Sequence, residues 1–128
     1  MISEITTQQQ RLKKIIKNNI SPPMKKAGFN RKGNWFNRTV SGKTTFLNVI
    51  LSRWNTKENA DFTLEAYVMP EGGRPIHDQA IVSERIGHLK TTKDIWYNLT
   101  SDVDLVKLGQ EIEQDISEYI LPFFNKYQ

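Results

Sequence analysis

Residues 34–68 read NWFNRTVSGKTTFLNVILSRWNTKENADFTLEAYV, and the rhythm of this stretch decides the fold. Ser41-Gly42-Lys43 separates two β-rich runs and has the make-up of a hairpin turn, with Gly42 supplying a positive φ. Asn34 to Val40 is the strand before it. Thr44 to Trp54 is the strand after it, with Leu47, Val49 and Leu51 on one face and Phe46, Ile50 and Trp54 on the other. Apolar side chains on both faces mark a central strand. Asn55 to Ala60 is a polar turn. Phe62, Leu64, Ala66 and Val68 then alternate with Thr63, Glu65 and Tyr67, the pattern of a half-buried antiparallel strand.

Helices are expected on both sides of this core. Ile5, Leu12, Ile15, Ile16 and Ile20 have helical spacing, with Ser3 as N-cap and Glu4 at the positive end of the dipole. That helix is expected to run to about Asn19 and stop at Ser21-Pro22-Pro23. A short helix from Met24 to Ala27 follows, closed by Gly28 in the left-handed conformation. Beyond the strands, Pro70 to Gln79 reads as a long Gly- and Pro-rich loop and Arg85 to Leu89 as a short edge strand. Ser101 can cap a final helix, with Asp102 and Asp104 in its first turn. Leu105, Leu108, Ile112, Ile116, Tyr119, Ile120 and Phe123 form its apolar stripe, and Gly109 within it marks a close approach. The expected fold is α+β, with an antiparallel sheet of three to four strands and the N-terminal and C-terminal helices packed on one face.

The chain has 128 residues, enough for one domain spanning 1–128 with its own core. It contains no cysteine, which removes disulfides, thiol nucleophiles and thiolate zinc sites. Residues 1–10 are polar, unlike a signal peptide, and no apolar run approaches the ~20 residues of a membrane span. A cytoplasmic protein away from membranes is therefore expected, and the sequons at Asn19, Asn37 and Asn98 read as chance matches.

Charge is divided along the chain. Residues 1–60 hold 12 Lys+Arg against 2 Asp+Glu, and residues 61–128 hold 6 against 12, which sums to the net +4. Three functional surfaces can be drawn from this. Asp104, Glu111, Asp115 and Glu118 fall on one flank of the last helix, where they would salt-bridge to the first helix or meet a basic protein partner. Lys25, Lys26, Arg31, Lys32 and Arg38, interleaved with Phe29, Trp35 and Phe36, are the alternative, a nucleic-acid surface. His77, Arg85, His88, Trp96 and Tyr97 are a further alternative, a small-ligand or catalytic cleft.

No motif settles the chemistry. Ser41-Gly42-Lys43-Thr44-Thr45 resembles the end of a P-loop, but Asn37 stands where its first glycine belongs and β-rich residues follow it. His77 and His88 are the only histidines. Glu65 or Asp78 could supply a third metal donor, but no ligand spacing supports a site, so no metal and no cofactor is expected.

Pro23-Met24-Lys25-Lys26-Ala27-Gly28-Phe29-Asn30-Arg31-Lys32-Gly33, then Trp35-Phe36-Asn37-Arg38, form one distinctive run. Arg85-Ile86-Gly87-His88-Leu89, Asp94-Ile95-Trp96-Tyr97 and Ile120-Leu121-Pro122-Phe123-Phe124 are three more. Together, from about Leu12 to Phe124, they resemble the bacterial family known as domain of unknown function 4304. The resemblance implies a small stand-alone bacterial domain and brings no catalytic residues with it. The functional expectation is a non-enzymatic adaptor or immunity-type domain that binds a protein partner. A homodimer through a second sheet face holding Phe46, Ile50 and Trp54 is a further option.

Overall fold

The computed structural model describes residues 7–127. The expected cap at Ser3, the dipole residue Glu4 and the stripe residue Ile5 lie outside them.

Five antiparallel strands form a meander in the order β1-β2-β3-β4-β5. They are β1 (Asn30–Lys32), β2 (Trp35–Val40), β3 (Lys43–Leu51), β4 (Phe62–Pro70) and β5 (Val82–Arg85). The fold class agrees with the sequence reading, with one strand more than the three to four expected. The added strand, β1, is three exposed residues long, too short and too polar for alternation to reveal. The β2–β3 turn has positive φ at both central residues, 54° at Ser41 and 80° at Gly42, and so carries the twist of a two-residue hairpin. The register places Phe36 opposite Leu47 and Leu47 opposite Ala66, so these three side chains share one face.

That face carries the core. Leu47, Val49, Leu64, Ala66 and Val68 pack with Ile15, Ile16, Ile20 and Met24 from the first helix and with Ile112, Ile116, Ile120 and Phe124 from the last. Each such large side chain contributes about 1.5–3 kcal/mol on burial.

The first helix does not stop at its prolines. α1 (Thr7–Ile15) runs into a π turn (Ile16–Ile20) and then α2 (Ser21–Lys26), with helical angles at Ile20 and Ser21. The Ser21 N–H donates to Ile16 O, five residues back. A wider turn meets the two costs of proline in a helix, the missing donor and the ring clash with the preceding turn. The last helix repeats the device: α4 (Leu105–Asp115), a π turn (Ile116–Ile120) and α5 (Leu121–Asn125), with Pro122 just beyond the wide turn. α2 ends as expected at Gly28, φ 94°. Gly28 N–H donates to Lys25 O and Phe29 N–H to Met24 O, and both Phe29 and Met24 are buried.

Between β5 and α4 the expectation fails locally. Residues 82–85 form the edge strand, and α3 (Ile86–Lys90) is helical where a strand was expected. Ile86 is fully buried, and a Cβ on Gly87 would stand 2.3 Å from Lys93 O and 2.4 Å from Ile95 N. The Arg85-Ile86-Gly87 run is thus a strand end, a core anchor and a backbone contact.

Candidate functional site

The second face of the sheet carries a connected set of polar and aromatic side chains. Alternation turns Thr63, Glu65, Tyr67 and Met69 of β4 away from the helices. Every residue from Phe62 to Met69 is nevertheless buried, so β4 is covered on both sides and not half-buried as expected. Part of the cover is the 71–81 segment. A Cβ on its Gly73 would lie 3.2 Å from Met69 Cβ, and the His77 ring sits 5.0 Å from the Tyr67 ring.

A polar chain runs along this cover. The Tyr67 hydroxyl donates to Glu65 Oε1 at 2.9 Å and lies 3.1 Å from His77 Nε2. His77 Nε2 is 3.6 Å from Glu65 Oε1, and its Nδ1 is 3.3 Å from Ser83 Oγ. Burial and the adjacent Glu65 carboxylate push the Tyr67 phenol far above its ordinary 10.0. Register places Glu65 between Asn48 and Arg85 across the sheet. Arg85 Nη1 and the Trp96 indole N–H both donate to Asp94 Oδ2, at 2.9 and 3.1 Å. The Arg85 guanidinium lies over the Trp96 ring at 5.5 Å. Towards β2, Trp35 meets Phe46 edge-on at 6.1 Å and Tyr67 at 5.8 Å.

Of the five residues drawn together as a cleft, His77, Arg85 and Trp96 share this region and two do not. His88 is exposed on α3, 3.6 Å from Glu84. Tyr97 turns inward and donates to Asp115 Oδ2 at 2.7 Å.

The acidic flank is largely occupied by the fold itself. Asp104 caps α4, accepting from the N–H groups of Val106 and Lys107. Asp115 is 3% exposed and bonds both Tyr97 and Lys90, whose Nζ lies 2.9 Å from its Oδ1 and 3.9 Å from Glu111. Glu118 is exposed and accepts from Gln114. Among the described residues the partner of this flank is Lys90 on α3, not a cation of the first helix. The first helix reaches the C-terminal region through neutral acceptors and one amide. Arg11 donates to Thr100 O and Val103 O, and the Asn19 amide donates to Glu113. Gly109 permits the helix crossing, since a Cβ there would lie 2.5 Å from Asn19 Cγ. Burial raises the Tyr97 phenol, helped by Asp115. For Lys90 burial pulls downward, but Asp115 and Glu111 overcome it and the net direction is up.

The basic set is divided as well. Lys25 and Lys26 are exposed at the end of α2. Arg31 and Lys32 are strand neighbours and so project to opposite sides. Arg38 is tucked in, donating to Ala27 O at 2.8 Å with its guanidinium 4.5 Å over Phe29. Burial lowers its pKa. Among the described residues no group of three or more His, Cys, Asp or Glu is placed to hold a metal, and no helix is long and apolar enough to cross a membrane.

Sequence reasoning passed over Ser83 and Asp94 as site residues, and weighed Glu65 only as a metal donor. Tyr67 two residues after Glu65 is a readable same-face pair. The link to His77 and Ser83 needs the strand register, which the sequence does not display.

These features define an α+β domain with a helical layer on one face of a five-stranded meander and a polar, aromatic second face. The chain belongs to the family described as a domain of unknown function, DUF4304, whose model matches residues 20–126. No curated protein and no solved structure matches it.

Proposed function

We propose that this chain is a non-enzymatic binding module, of adaptor or immunity type, that holds a protein partner on the second face of its sheet. The observation that carries this reading is a row of large side chains on β positions outside the helical core. Trp35, Phe46 and Ile50 are half-buried on β2 and β3, and Trp54, expected within the strand, lies instead in the turn three residues beyond β3 and is 78% exposed. Trp and Arg are the residue types that dominate interface energetics, and the strands hold Trp35, Phe46 and Ile50 in place before any partner arrives. Lys32 stands opposite Trp35 across the β1–β2 pair and Arg53 lies beside the Trp54 ring, so the partner presents acidic residues around an apolar centre. The acidic flank of the last helix is the weaker candidate, because Asp115 and Asp104 are committed to internal bonds. The same proposal places the domain in a bacterial cytoplasm.

Affinity capture from native lysate tests this with two variants, Phe46→Arg on the sheet face and Glu111→Lys/Glu118→Lys on the flank. A stoichiometric partner kept by the flank variant and lost by the face variant supports the reading. Loss with the flank variant alone moves the partner to the helix. Light scattering that shows a dimer broken by Phe46→Arg replaces the foreign partner with a second copy of the chain.

A further inference from the structure

We propose that the hollow where the second face meets the β3–β4 connection binds a small planar anion, a flat ring carrying one phosphate or one carboxylate. The hollow encloses about 280 Å³, and its walls include Ile50, Ser52, Arg53, Trp54, Arg85 and Trp96. That volume lies at the lower edge of the ~300–1,000 Å³ typical of ligand pockets, which suits one ring with one substituent.

Its chemistry has two halves. Trp54 and Trp96 supply ring surface, and Ile50 supplies an aliphatic wall. Stacking between flat rings is tolerant of ring identity and strong for its area. Arg53 and Arg85 supply charge. Arg85 is already joined to Asp94 at 2.9 Å. Arg53 makes no ion pair among the described residues and lies 5.8 Å from the Trp54 ring centre. Arg85 is thus already neutralised, and Arg53 is the charged wall residue left for a ligand's single anionic group. A guanidinium receives phosphate or carboxylate through paired N–H donors. Asp94 also holds the Trp96 indole at 3.1 Å, so one wall is fixed before any ligand arrives. The hollow shares Ile50, Arg53, Trp54 and Arg85 with the protein-binding face, and its occupancy by a small anion is read on the chain alone, without a partner.

The three tryptophans give the full-length ¹⁵N-labelled chain three indole N–H signals. Titration at low salt with AMP and with indole-3-acetate supplies a ring plus an anion. Adenosine supplies the ring alone and inorganic phosphate the anion alone. The expected result is saturable movement of the Trp54 and Trp96 signals, with Trp35 still, by AMP, by indole-3-acetate or by both. Either half alone is expected to bind at least about tenfold more weakly. Saturation by the nucleotide only identifies a phosphate ligand, and by the indole acid only a carboxylate. Trp54→Ala is expected to weaken binding roughly five- to hundredfold, and Arg53→Gln about tenfold or more. Both residues are exposed, so their melting temperatures are expected to match the parent, which separates lost binding from lost folding. No saturable shift with either probe at millimolar concentration overturns the proposal. So does movement of Trp35 alone, or binding left intact in both variants.

Discussion

Gly87→Ala tests the packing that sets the second face against the C-terminal segment. The added Cβ would stand 2.3 Å from Lys93 O, 2.4 Å from Ile95 N and 2.8 Å from Asp94 C. All three are backbone atoms, so no side chain can rotate out of the way. The 93–97 segment must move, and it is held at several points. Thr63 Oγ1 donates to Ile95 O at 2.7 Å, the Arg85–Asp94 pair closes it on one side, and Tyr97 exchanges backbone bonds with Phe62. Overpacking costs about 1–3 kcal/mol, and contact with pinned backbone puts this site at the upper end. Alanine returns about 1 kcal/mol of helix propensity. The net expectation is a loss of about 2 kcal/mol, or a fall in Tm of roughly 6–12 °C for a chain this long. Thermal and urea unfolding measure the loss, and the Trp96 indole signal reports whether the segment has shifted. A variant as stable as the parent, with that signal unmoved, would refute the reasoning.

Three further outcomes follow from the geometry. Asp115→Ala strips Lys90 and Tyr97 of their shared partner and is expected to cost about 3 kcal/mol in urea unfolding; a loss under 1 kcal/mol would make the bonds incidental. Tyr97, Tyr67 and Lys90 are all held above their ordinary values, so the stability they contribute is whole below about pH 10 and is lost as pH climbs past it. Tm is therefore expected to fall on the alkaline side, and Tyr97→Phe to flatten that fall; an unchanged alkaline slope in the variant contradicts the assignment. Gly42→Val places a β-branched residue at φ 80° and is expected to cost about 1–3 kcal/mol in the same unfolding assay, against almost nothing for Gly42→Asn, which tolerates that conformation.

Local grammar was legible in the sequence. Ser41-Gly42 announced a hairpin, Gly28 a helix end, and Gly109 a close approach, because each is a backbone requirement written into one residue. Features set by pairing were not. β1 exists because Asn30–Lys32 lie beside Trp35–Asn37, not because of their own preference. Lys90 and Asp115 are 25 positions apart, and only the docking of α3 on the last helix joins them. The site suffered most: Glu65, His77 and Ser83 come from three elements whose register no periodicity reveals. The prolines misled because a stop and a widened turn begin with the same residues. A comparison within the chain would have helped, since Ile16, Ile20 and Pro22 recur as Ile116, Ile120 and Pro122.

Those widened turns have a consequence for how the helices meet the sheet. Ile112, Ile116, Ile120 and Phe124 are spaced by four and are all fully buried. In an ordinary α-helix each step of four overshoots a full turn by about 40°, so such a row would spiral away from a flat support. The wide turn takes back the excess midway, as a leap day holds a calendar to the seasons. Ile16, Ile20 and Met24 keep the same beat in the first helix. The spacing of the apolar row, as much as the proline beyond it, sets where each helix widens.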